Sequence, residues 1–90
     1  MKRSQEAAVN ELIESLGIDR GILQQIIDRH PTEKDLDQFG QFDRLKESAD
    51  RDKAKAYFQQ TTGKALSGFN LTIAIDRHLR DFILNKEPRA

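Results

Sequence analysis

The spacing of apolar side chains constrains this chain more than any other feature. Val9, Leu12, Ile13 and Leu16 fall at i, i+3, i+4 and i+7, which places them on one side of a helix with 3.6 residues per turn. Ile22, Leu23, Ile26 and Ile27 form a second such side, and Leu71, Ile75, His78, Leu79, Phe82 and Ile83 form the clearest one. Only "FNLTIAI", residues 69–75, alternates as a strand does, at Phe69, Leu71, Ile73 and Ile75. The run then continues with helical spacing through Ile83, so it reads as helix. The expected fold class is all-α, a compact bundle of about five short helices with the last most buried.

Stop and start residues punctuate the pattern. Ser4 is placed to cap the first helix, and Gly17 to take the left-handed position after it. Asp19 caps the second helix, flanked by Ile18 and Leu23 at the spacing of a hydrophobic staple. Pro31 ends that helix by pushing the preceding residue out of helical geometry, with His30 at the helix end. Thr32 and Asp35 form a capping signal for a short helix carrying Leu36 and Phe39, which Gly40 interrupts. Phe42, Leu45 and Ala49 belong to a further helix, either continuous with that one or separate. Asp50 caps the next, where Ala54, Tyr57 and Phe58 face inward, and Gly63 stops it. Asn70 is placed to cap the last helix, whose apolar side Ile73 and Ala74 widen. This describes one helical domain, residues 1–84, followed by a polar tail, residues 85–90, where Pro88 forbids helix.

Ninety residues make one domain. With no cysteine, disulfides and thiolate metal sites are excluded, and a reducing compartment fits. No run approaches ~18 apolar residues, so a membrane partner is not expected and a cytoplasmic location is. The zero net charge hides an asymmetry. Residues 4–43 carry nine acids against three bases, whereas residues 44–90 carry ten bases against six acids. Such polarity orients a domain against a charged neighbour.

Catalytic motifs fail on inspection. "TTGKALSG", residues 61–68, contains the Gly63-Lys64 pair that a phosphate loop uses, but Phe58 stands at the first glycine position and Ala65 at the hydroxyl position. Without that glycine the backbone cannot curl around a phosphate, and without the hydroxyl magnesium lacks a ligand. The stretch reads as a helix stop and a turn. His30 and His78 lack partners at metal-ligand spacing; His78 with Asp81 supplies two ligands at most. The pairs Asp35/Asp37 and Asp50/Asp52 sit where helices start, and there negative charge favours the macrodipole. No catalytic residue, metal, cofactor or small-molecule substrate is expected.

Two binding readings remain, beside the alternative of a small stand-alone regulatory protein. Leu16-Gly17-Ile18-Asp19 between two amphipathic segments resembles the turn of a helix-turn-helix. That likeness implies DNA reading by Arg20, Gln24 and Gln25, with Arg29 near a phosphate. Ile13 is bulky where such turns usually hold a small residue, and Glu11, Glu14 and Asp19 make the segment acidic. In the second half, Phe42 and Leu45, Ala49 to Phe58, Thr62 to Leu66 and Ile75 to Leu84 resemble a helical segment near the C-terminus of the restriction (motor) subunits of bacterial type I restriction-modification enzymes. The likeness covers residues 42–84. It implies an assembly domain that docks the motor subunit on the methyltransferase core, with nuclease and translocase lying elsewhere. The basic residues Arg51, Lys53, Lys55, Lys64, Arg77 and Arg80 are then the candidates for meeting an acidic protein surface or a DNA backbone.

Overall fold

Six helices follow one another in the computed structural model, which describes residues 3–84 and the side chains of residues 6–84. They are α1 (Arg3–Leu16), α2 (Arg20–Asp28), α3 (Glu33–Gln38), α4 (Gly40–Ser48), α5 (Arg51–Thr62) and α6 (Gly68–Ile83). No strand occurs among the described residues. The all-α bundle expected from apolar spacing is therefore present. The tail at 85–90 lies outside the described residues.

Most boundaries follow local chemistry. Asp19 accepts the Ile22 amide hydrogen bond at 3.0 Å. Thr32 and Asp35 complete a reciprocal capping box, at 3.0 and 3.1 Å, and Asp50 accepts from Asp52 and Lys53. Each satisfies amides that have no partner inside their own helix. His30 takes φ 51 ahead of Pro31 while its amide donates to the Ile27 carbonyl at 3.0 Å, closing α2.

Four expectations change. The helix count is six because Phe39, at φ −83 and ψ 116, is extended backbone ending α3 and starting α4. The break falls one residue before Gly40, which is already helical. Ser4 lies inside α1 rather than ahead of it. Asn70 lies inside the first turn of α6, which begins at Gly68 with Ser67 at the cap position. Finally, Ile73 does not widen the buried side of α6: it is 43% exposed, and Phe69 is 77% exposed. α6 packs mainly against α4 and α5.

The core gathers one stripe from each helix. Leu16, Leu23, Ile26, Leu45, Ala54 and Leu79 have no exposed surface, and Phe42, Leu36 and Phe58 are also buried. Burying each large apolar side chain contributes about 1.5–3 kcal/mol against chain entropy. α1 packs on α5, α2 on α4, and α6 against both α4 and α5.

The two corners of the bundle lock together. The Leu16 carbonyl, left over at the end of α1, accepts the Asp50 amide at 2.7 Å. The Asp19 amide donates to Ser48 Oγ at 3.0 Å, and that hydroxyl donates to the Leu45 carbonyl at 2.6 Å. Gly17 makes the approach possible. It sits at φ +68, and a Cβ there would lie 2.8 Å from the Asp50 Cβ. The α1–α2 turn is thus seated on the α4–α5 turn.

Candidate interaction surface

The "TTGKALSG" stretch forms the end of α5 and the loop into α6, and its hydrogen bonds stay within the chain. Gly63, at φ 76, ends α5 with its amide on the Gln59 carbonyl at 2.9 Å. The Thr62 hydroxyl donates to the Phe58 carbonyl at 2.7 Å, and the Lys64 amide donates to Thr62 Oγ1 at 3.3 Å. A helix precedes the Gly-Lys pair where a phosphate loop requires a strand.

Behind this loop lies a shallow groove of about 420 Å³ open to solvent. Phe58 and Thr62 of α5, Lys64 and Leu66 of the loop, and Asn70, Ile73, Ala74, Arg77 and His78 of α6 line it. The spacing 70, 73, 74, 77 explains the α6 contribution, because these positions share one side of a helix. That side lies away from the buried stripe at Leu71, Ile75, Leu79 and Ile83. Phe69 lies one turn before Ile73 and continues the apolar strip outward. Phe69 and Ile73 are the large apolar side chains left exposed among the described residues.

An aromatic cluster supports the groove from beneath. The rings of Tyr57 and Phe58 lie 5.3 Å apart, and His78 stands 5.3 Å from Tyr57 and 5.7 Å edge-on from Phe58. Burial pushes the His78 imidazole below its ordinary value, and the nearby Asp81 carboxylate offsets this only in part. His78 is half-buried in this cluster, and burial there favours its neutral form.

The six basic candidates do not make one strip. Lys64 and Arg77 share the groove, and neither forms an ion pair among the described residues. Arg51 crosses to the start of α6, donating to Thr72 Oγ1 at 3.0 Å and the Gly68 carbonyl at 2.9 Å. Lys53 and Lys55 are both exposed, but two residues apart on a helix they point about 200° apart. The Lys53 stem lies over Gly17.

Arg80 is engaged elsewhere, bonding Asp76 at 3.1 Å and Asp37 at 2.9 Å. Lys46 bonds the same Asp76 at 2.8 Å, and both cations lie over the Phe42 ring, at 4.9 and 5.2 Å. Burial opposes the Asp76 charge, but hydrogen bonds from Lys46 and Arg80 outweigh it and hold the carboxyl below its usual range. This network ties α3, α4 and α6 together, and apolar spacing gives no sign of it.

The helix-turn-helix candidates are also engaged within the fold. Arg20 donates to Asn10 Oδ1. Gln24 donates to Asp28 at 2.9 Å, and Gln25 accepts from Gln41 at 2.6 Å. Arg29 stacks over Phe39 at 5.3 Å. Asp35 and Asp50 are spent on caps, and Asp37 on Arg80. No group of three or more potential metal ligands occurs among the described residues, and no helix there is long and apolar enough to cross a membrane.

Sequence reasoning placed Lys64 and Arg77 among the candidates but missed Phe69 and assigned Ile73 to the core. The available signal was their phase, since 69 and 73 fall off the stripe set by 71, 75, 79 and 83. No family model, curated protein or solved structure matches the chain.

Proposed function

We propose that this chain is a non-catalytic helical interaction domain that docks a protein partner on the α5–α6 groove. The observation that carries the reading is the exposed pair Phe69 and Ile73, set beside the cations Lys64 and Arg77, which form no ion pair among the described residues. Exposed apolar surface of this kind gains roughly 25 cal/mol per Å² when a partner covers it, and a contiguous apolar strip with a polar rim is the usual form of a docking site. The most concrete version is an assembly domain of a cytoplasmic DNA-processing system, docking on a type I methyltransferase core. Residues 42–84, which carry the likeness to type I motor subunits, include α5 and α6, the helices that frame the groove. Lys53 and Lys55, on opposite flanks of α5, steer the encounter.

The test is binding of the purified chain to a reconstituted type I methyltransferase core, followed by surface plasmon resonance, with a parallel duplex-DNA titration at two salt concentrations. A complex weakened about tenfold or more by Phe69→Ala or Ile73→Ser, and formed more slowly by the Lys53→Glu/Lys55→Glu double variant, is the expected result. No complex with the core, or sequence-selective DNA binding lost on Gln24→Ala, would reject it.

A further inference from the structure

The groove also specifies its occupant. Resting on the docking reading above, we infer that the partner element is an acidic amphipathic helix, seated with apolar anchors on Phe69 and Ile73 and with carboxylates over Lys64 and Arg77. Every regular element among the described residues is helical, so no sheet edge is offered for strand addition. From Phe69 to Ile73 the α6 axis advances about 6 Å, just over one turn, which matches i, i+3/i+4 anchors on a partner helix, and Arg77 lies about 6 Å further on, where a carboxylate one turn beyond those anchors would meet it.

Charge selects the sign. Lys64 and Arg77 border the apolar strip and hold no carboxylate among the described residues; Asp81, one turn beyond Arg77, is the nearby acid acting on His78.

A second copy of the chain does not fit. A symmetric pairing through this strip presents the same residues from each copy, so neither brings a carboxylate from the strip to Lys64 and Arg77. A head-to-tail pairing has no other large exposed apolar side chain to insert, because Phe69 and Ile73 are the exposed ones among the described residues. A phosphate backbone satisfies the cations but leaves the phenyl and sec-butyl groups in water.

The experiment is an NMR titration of the isotope-labelled full chain with three probes. One is a synthetic helical peptide of about 20 residues, with leucines at i, i+4 and i+7 flanked by glutamates. The second carries lysines in place of those glutamates, and the third is a short DNA duplex. The glutamate peptide is expected to move the Lys64, Phe69, Ile73 and Arg77 resonances and to lose about tenfold or more in affinity with Ile73→Ser. Lys64→Glu/Arg77→Glu is expected to reverse the preference toward the lysine peptide. All these positions are exposed or rim residues, and unchanged circular dichroism checks that the variants fold. Equal binding of both peptides at the strip would overturn the acidic assignment while leaving the docking reading intact. Absence of shifts at Phe69 and Ile73, or displacement of the glutamate peptide by the duplex, overturns it as well. The methyltransferase experiment decides the docking reading separately.

Discussion

At the scale of single residues, two glycines share a backbone conformation but not surroundings. Gly17 and Gly63 both lie at left-handed φ, +68 and +76, where a Cβ costs about 1–2 kcal/mol. Nothing lies within 4 Å of a Cβ added at Gly63, whereas one at Gly17 meets the Asp50 Cβ at 2.8 Å. Gly17→Ala should therefore lower the denaturation midpoint clearly more than Gly63→Ala, and equal losses would show that the corner contact yields freely. His78 supplies a residue-scale pH dependence. Its folded pKa is depressed, chiefly by burial beside Tyr57 and Phe58. The unfolded chain therefore binds the proton more readily, near an ordinary value of about 6.5. The contribution is whole above that value and is lost as pH falls through the lower, folded pKa. Melting curves between about pH 7.5 and 5.5 should show stability falling with acidification. His78→Asn should flatten that slope, whatever it does to the absolute midpoint.

At the scale of elements, helix starts divide into those fixed by a side chain and those fixed by the chain path. Asp19→Ala and Asp50→Ala each remove a carboxylate bonded to first-turn amides and should cost about 1 kcal/mol. Ser67 occupies the cap position of α6 without a side-chain hydrogen bond, so Ser67→Ala should stay within about 0.5 kcal/mol. Urea denaturation of the three variants reads the contrast. The same division explains what could be read from sequence. Asp19, Thr32, Asp50 and Gly63 act within three or four residues of themselves, and each was legible. Asn70 looked like a cap by residue type, but the turn closes earlier, at Ser67, through loop geometry that residue type does not encode. Gly40 looked like the break between α3 and α4; the extended residue is instead Phe39, held between the Arg29 guanidinium and the core. Ile73 was apolar and correctly placed on a helix, yet whether a neighbour covers it depends on where α4 and α5 lie. The phase of residues 69 and 73 against the 71, 75, 79, 83 stripe marks an outer position, but which outer residues a neighbour covers is not legible in it.

At the scale of the whole molecule, the acidic and basic halves of the chain are not separate folding units. The radius of gyration, 12.6 Å, is close to the ~12 Å expected for one compact body of this length. α1 finds its main neighbour in α5 and α2 finds its own in α4, so both of these helices pack against elements later in the chain. Three links reinforce this: Asp50 amide to Leu16 carbonyl, Asp19 amide to Ser48 hydroxyl, and Arg80 to Asp37. The last joins the two charge blocks directly, though Asp37 is largely exposed and the pair is worth little alone. A fragment of residues 1–39 keeps the caps of α2 and α3 but loses the surfaces that cover Val9, Leu12, Leu16, Leu23 and Ile26. Isolated helices this short are marginal in water, so the fragment should give a coil-like circular dichroism spectrum and no cooperative melt. The full chain should unfold in one transition with coincident probes. A cooperative melt from residues 1–39 alone would mean that α1, α2 and α3 bury their apolar stripes against one another, contrary to the packing of α1 on α5 and α2 on α4.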